Sequence, residues 1–146
     1  MSIRGLVRRS SANRPNVIVE FDVDRDVLFV VVRNIGVLPA AHVRIAFDPA
    51  FHGLGGAVEI PRLALFRRLD FLGPAREIRA LVDPLHAWLG REKPAEPRVI
   101  GVRIAYRDGA GRRYRARLRH DLGVWEDLPR LAVPQRTLPQ PGIVNG

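Results

Sequence analysis

The chain has 146 residues, of which 47% are hydrophobic and 27% are charged, and its formal net charge is +9. This length suits one domain that can bury a core without a metal or a disulfide. The absence of cysteine excludes disulfides and thiolate metal sites. Because no stretch is apolar for long enough to form a signal peptide or a membrane span, we expect a cytoplasmic protein or a component of an assembled particle, with no membrane partner.

Composition divides the chain into three predicted segments. Residues 1–15 contain no acid and no apolar periodicity, which predicts a basic N-terminal arm. Residues 16–122 carry the apolar patterns of a folded domain. Residues 123–146 contain four prolines, which prevent a continuous strand or helix, so they predict a proline-rich, extended C-terminal arm.

The first half of the folded segment contains three predicted strands. In residues 17–23 every odd-numbered residue is apolar and alternates with Ile18, Glu20 and Asp22, so the two acids would lie on an outer, acidic face. Residues 27–33 form a nearly continuous apolar run, which is typical of a central strand. Residues 43–47 alternate again and predict the third strand.

The second half begins less regularly and ends in a hairpin. Residues 50–75 predict a glycine-rich loop and then one or two short edge strands, and residues 78–82 predict another strand. Asp83 followed by Pro84 is typical of a helix start, with Asp83 as the capping acid, and predicts a short crossover helix. Two further strands, joined by a turn at 108–111, complete the pattern.

About seven short strands and one short crossover helix predict an all-β, antiparallel β-sandwich. The residues Arg33-Asn34-Ile35-Gly36, Pro39-Ala40 and Val43-Arg44-Ile45 resemble the turn between the second and third strands of prokaryotic immunoglobulin-like accessory domains, of the fibronectin or CARDB kind. Leu72-Gly73-Pro74 and Tyr106-Arg107-Asp108-Gly109 resemble the same group. The resemblance covers residues 16–122. It implies an immunoglobulin-like fold and a role as a binding or spacing module within a larger protein or particle.

Few side chains could carry out catalysis or hold a metal. All three serines and Thr137, the only threonine, lie in the predicted arms, and Lys93 is the only lysine. The glycines at 53–56 lack the lysine of a phosphate-binding loop, and the four histidines lack metal-ligand spacing. We therefore expect a non-enzymatic protein with no catalytic residues, no metal site and no cofactor.

Arginine recurs at every second residue from 113 to 119, which is the period of a β-strand. These four arginines, here called the arginine ladder, would share one face of the sheet, while Tyr114 and its alternate neighbours point inward. Outer residues of two adjacent strands should join them. The predicted binding residues, here called the cationic face, are Arg44, Arg103, Arg107, Arg113, Arg115, Arg117 and Arg119.

Three interpretations of this face remain open from the sequence. In the first, it docks on an acidic protein surface or on neighbouring subunits, as in a virion-associated or other assembly protein that could be oligomeric. In the second, it binds nucleic-acid phosphates without sequence preference, although no exposed aromatic is expected beside the ladder to stack on bases. In the third, a GC-rich genome accounts for the arginines and the face has no partner. An enzymatic role is the least favoured.

Overall fold

A computed structural model of the chain describes residues 13–129. The remainder of both predicted arms lies outside these residues. The strands are β1 (Val17–Asp24), β2 (Val27–Asn34), β3 (Ala40–Asp48), β4 (His52–Gly53), β5 (Val58–Glu59), β6 (Leu69–Leu72), β7 (Glu77–Pro84), β8 (Val99–Arg107) and β9 (Arg113–Asp121). Two short helices are α1 (Ala64–Arg67) and α2 (Leu85–Gly90), and one-turn 3-10 helices lie at Leu54–Gly56, Ile60–Arg62 and Leu122–Trp125.

Seven of the strands form two antiparallel sheets. One sheet has three strands in the order β1-β2-β7, and the other has four in the order β6-β3-β8-β9. The predicted all-β, antiparallel sandwich is therefore confirmed, with β2 in the centre of its sheet as its apolar run predicted. Helix α2 connects β7 of one sheet to β8 of the other, so it is the expected crossover helix. The small β4–β5 pair and helix α1 in residues 50–75 were not predicted.

The core lies between the two sheets and is rich in aromatic side chains. Phe47 packs edge to face against Phe51 and Phe66, with ring centroids 5.2 and 4.9 Å apart. Trp88 of α2 is fully buried and donates its indole N–H to the carbonyl oxygen of His52 at 2.9 Å. Edge-to-face contacts add to the hydrophobic gain of burying these rings, so they fix α2 and the β4–β5 loop against the sandwich.

Helix α2 begins differently from the sequence prediction. Its N-cap residue is Pro84, and no side chain caps the helix. Asp83 instead points into a buried ion cluster, where it accepts a hydrogen bond from the backbone N–H of Gly55 and pairs with Arg91. The capping role expected for Asp83 is therefore wrong, because a buried arginine attracts its carboxylate more strongly than a free helix end does.

Arg91 joins two buried carboxylates from different parts of the chain. Its guanidinium pairs with Asp83 at the end of β7 and, through Nε at 3.2 Å, with Glu96 before β8. Glu96 in turn accepts the backbone N–H of His52 at 2.8 Å. The side chains of all three charged residues are at most 10% exposed. This cluster ties the loops around α2 and β4 together at one end of the sandwich.

The turn between β2 and β3 is organised by the buried side chain of Asn34. Its Oδ1 accepts the backbone N–H groups of Asn16 and Gly36 at 3.0 and 2.9 Å. Its Nδ2 donates to the carbonyl oxygens of Leu38 and Leu72 at 2.8 and 3.1 Å. All four hydrogen-bonding positions of the amide are therefore used, and they connect the start of β1, the turn and the end of β6.

We expect Asn34→Asp to destabilise the protein by about 2–4 kcal/mol at neutral pH, because a buried anionic oxygen would then face the carbonyl oxygens of Leu38 and Leu72. The acceptor oxygen and the side-chain volume are retained. A protonated aspartic acid can donate one hydrogen bond, so part of the loss should be recovered as the pH falls. Urea unfolding of both proteins at neutral and acidic pH measures this difference. Equal stability at neutral pH would contradict the role assigned to Nδ2.

Candidate functional site: an arginine-rich sheet face

The cationic face lies on the outer side of the four-stranded sheet. Strand β9 alternates exposed with half-buried residues along its whole length, with the four ladder arginines exposed. Arg103 and Arg107 are the exposed residues of β8, and Arg44 is an exposed residue of β3, the next strand in the sheet. The structure therefore brings all seven predicted binding residues onto one surface.

Strand register places several of these arginines directly opposite one another. Arg103 pairs with Arg117, and Arg107 pairs with Arg113, across β8 and β9. Side chains that are directly opposite in an antiparallel pair lie about 5 Å apart at Cβ, where like charges destabilise the sheet. These like-charge pairs raise the free energy of the folded protein. A requirement for stability alone would therefore not favour this pattern of charges.

None of the ion pairs within residues 13–129 involves an arginine of the cationic face. The opposite sheet differs. There Arg33 pairs with Glu77 at 3.1 Å, and Arg79 pairs with Asp22 at 2.9 Å. The arginines are thus neutralised locally on one sheet and left unpaired on the other, a distribution that genome composition does not explain.

Small side chains between the arginines leave shallow depressions in the face. One of them has a volume of about 600 Å³, is bordered by Arg44, Arg103, Arg115 and Arg117, and includes Ala46 and Ala105 in its lining. Arg67 of α1 also borders it. The sequence prediction missed Ala46, Ala105 and Arg67. The small residues at outer positions of neighbouring strands could have indicated these depressions in the sequence. Small side chains leave guanidinium groups room to surround an anion.

Two side chains at the borders of the cationic face were not predicted as part of it. Asp48, at the end of β3, lines a second depression with Arg103, Arg117 and Arg119, so one end of the face includes a carboxylate. Phe71 on the edge strand β6 is 63% exposed. It lies in the same sheet as the ladder but at the opposite edge, so the face has an exposed aromatic that the sequence did not predict, although not beside the ladder.

The hairpin that joins β8 to β9 is held by Asp108. Its Oδ1 accepts the backbone N–H groups of Ala110 and Arg112, both at 2.9 Å, and its Oδ2 accepts the hydroxyl of Tyr114 at 2.9 Å. Tyr114 points inward, as predicted, and stacks on Tyr106 with ring centroids 5.4 Å apart. This turn therefore fixes where β9 starts and which of its side chains face outward.

The hydrogen bond from the backbone N–H of Arg112, followed by that from the Tyr114 hydroxyl, holds the pKa of Asp108 below its ordinary value. Since the folded pKa is lowered, the stabilisation should be present above the pKa of the unfolded chain and lost as the pH falls through the folded one. A carboxyl-carbon NMR titration measures the folded value. A pKa at or above that of an ordinary aspartate would contradict these bonds.

The histidines, acids and helices outside the cationic face bear on other kinds of site within the part of the chain that the structure describes. Within residues 13–129, no group of His, Asp and Glu side chains is arranged to hold a metal ion. His120 is directed inward, with Nε2 2.8 Å from the carbonyl oxygen of Val19. Neither α1 nor α2, nor any other helix in this range, is long and apolar enough to cross a membrane.

Comparison with known proteins identifies a family. The model of a family described as "Domain of unknown function (DUF8453)" matches residues 5–126. No curated protein and no solved structure matches the chain. The matched range includes every strand of the sandwich and all seven arginines of the cationic face.

Proposed function

The chain belongs to the DUF8453 family, a domain of unknown function, and we propose from its geometry that it is a non-enzymatic protein-interaction module. In this proposal the cationic face docks on an acidic surface of another protein or of a neighbouring subunit in a larger assembly. The immunoglobulin-like resemblance of residues 16–122 is part of the same proposal, because it implies a binding or spacing module within a larger protein or particle.

The observation that carries the proposal is the contrast between the two sheets. Unpaired arginines directly opposite one another raise the free energy of the folded protein, and an acidic partner would remove that repulsion on binding. Arginine is suited to this use, because its planar guanidinium binds carboxylates through two parallel hydrogen bonds and is weakly hydrated. The depressions between the arginines offer space for carboxylate side chains.

The second candidate is a protein that binds nucleic-acid phosphates without sequence preference. The same guanidinium groups and the net charge of +9 favour it. Base stacking has little support, because Tyr114 is directed inward and Phe71 lies at the far edge of the sheet. An acidic protein partner remains the better-supported proposal, since depressions that include alanines can accept apolar atoms as well as charge.

Fluorescence anisotropy with two labelled polyanions, polyglutamate and a short DNA duplex, distinguishes these functions. We expect polyglutamate to bind at about 0.15 M salt and the duplex to bind only at low salt. Duplex binding that is as tight at about 0.15 M salt, and that weakens log-linearly as salt rises, would instead establish the nucleic-acid function. A protein that binds neither polyanion at low salt would overturn both.

A further inference from the structure

Strand β9 forms one edge of its sheet. It pairs with β8 on one side, and no other strand in residues 13–129 pairs with it on the other. It has nine residues, contains no proline, and pairs with β8 without a register shift. A long, regular edge of this kind presents a row of backbone N–H and C=O groups that another strand can use.

The hydrogen bonds at the two ends of the β8–β9 pair show which of these backbone groups face the free edge. The N–H of Asp108 donates to the carbonyl oxygen of Arg112 at 3.0 Å, and the N–H of Leu122 donates to that of Arg98 at 2.7 Å. Hydrogen-bonded and non-hydrogen-bonded pairs alternate in an antiparallel ladder. The register then makes every pair that contains an odd-numbered residue of β9 a non-hydrogen-bonded pair.

The four ladder arginines therefore direct their backbone N–H and C=O groups away from β8, toward the free edge. The same residues direct their side chains to the outer face. A strand added at this edge would form backbone hydrogen bonds with the ladder residues and would place every second side chain beside a guanidinium group. Every second residue of β9 therefore offers both backbone groups for strand pairing and a positive charge.

Charge decides which strand can occupy the edge. A second copy of β9, added antiparallel, would place arginine opposite arginine, so self-pairing is disfavoured. An extended segment with an acid at every second residue would instead match the ladder along its length. Its intervening side chains would lie on the side of Tyr114 and Leu118, which are half-buried.

We propose that the free edge of β9 binds an extended acidic segment of a partner protein as an added β-strand. This proposal rests on the protein-interaction function above and specifies its mode of recognition. Backbone hydrogen bonds would supply affinity, and the alternating acids would supply specificity and register.

The test uses a labelled ten-residue peptide in which five glutamates alternate with five threonines, together with two N-methylated derivatives that are isomers of each other and have equal charge. One isomer is N-methylated at every glutamate and the other at every threonine. Successive backbone N–H groups of a strand point to opposite edges, so only one isomer loses the hydrogen bonds to β9. We expect that isomer to bind at least about tenfold more weakly than the unmodified peptide, and the other to bind nearly as well. If the peptide binds antiparallel to β9, N-methylation at glutamate should weaken binding. If it binds parallel, N-methylation at threonine should weaken binding.

A pair of protein variants tests the same contact from the other side. Arg117→Ser and Arg117→Pro both remove the charge, but only proline also removes the N–H that faces the free edge. Proline is tolerated on edge strands where the N–H faces solvent, and a thermal melt confirms that each variant folds. We expect Arg117→Pro to bind the unmodified peptide about three- to tenfold more weakly than Arg117→Ser, which corresponds to one hydrogen bond.

The outcomes separate this proposal from the function on which it rests. If both N-methylated isomers bind like the parent peptide, or both weaken equally, strand addition is overturned and docking by charge alone stands. If the unmodified peptide fails to bind while polyglutamate binds, strand addition is again overturned. If neither the unmodified peptide nor polyglutamate binds, both strand addition and the protein-interaction function are overturned.

Discussion

Replacing the four ladder arginines with threonine is expected to abolish binding of polyglutamate while raising the stability of the folded protein. Binding should be lost because four of the seven unpaired guanidinium groups disappear from the cationic face. Stability should rise because the change removes two pairs of directly opposite like charges, each worth about 0.2–1 kcal/mol, and threonine is favoured in strands. Anisotropy and urea unfolding at low salt measure the two effects on the same samples.

The matched control for this prediction lies on the opposite sheet. Arg115→Thr with Arg117→Thr removes two unpaired charges, whereas Arg33→Thr with Arg79→Thr removes two that are paired with carboxylates. The net charge changes equally. We expect only the first double variant to weaken binding and only the second to lose stability. Equal loss of binding by both would mean that net charge, and not the cationic face, attracts the polyanion.

Arg91→Ala is expected to destabilise the protein by about 3–5 kcal/mol, because it leaves the buried carboxylates of Asp83 and Glu96 without their shared cation. For a domain of this size the melting temperature should fall by about 10 °C or more. Thermal unfolding followed by circular dichroism measures the change.

A control for the Arg91 prediction is the exposed pair between Arg98 and Glu126, in which the side chains are 36% and 50% exposed. Breaking it with Glu126→Gln should cost less than about 1 kcal/mol. Adding Asp83→Asn and Glu96→Gln to Arg91→Ala removes the unpaired charges and should recover part of the loss. A small effect of Arg91→Ala alone would show that water reaches the cluster.

Alternating patterns predicted much of the sandwich because β1, β3, β8 and β9 each bury one face. The pattern of β9 is the clearest case, since Tyr114 and its alternate neighbours face the core. The role of Asp83 could not be predicted, because the attraction of Arg91 arises only when the chain folds back on itself. Helix α1 and the short β4–β5 pair also escaped prediction, since neither is long enough to show a period.

The sequence predicted which arginines form the cationic face, but not the depressions between them. The period of the ladder and the hairpin at 108–111 grouped six arginines on one sheet, and the expected sandwich topology added Arg44 from the third strand. The depressions depend on which small residues lie across from which arginines, and therefore on a register that β3 shifts between Ala41 and Arg44. That irregularity, where His42 has a φ of 52°, has no clear signature in the sequence.

The turn held by Asp108 also constrains how the length of this protein can change. Inserting a single residue within β9 would turn every later side chain to the opposite face, so that arginines would enter the core and apolar residues would reach water. An insertion of two residues would preserve the alternation, and an insertion at the tip of the hairpin would leave it untouched. Relatives that share this surface should therefore differ in length at the hairpin tip, or by even numbers of residues along the strand.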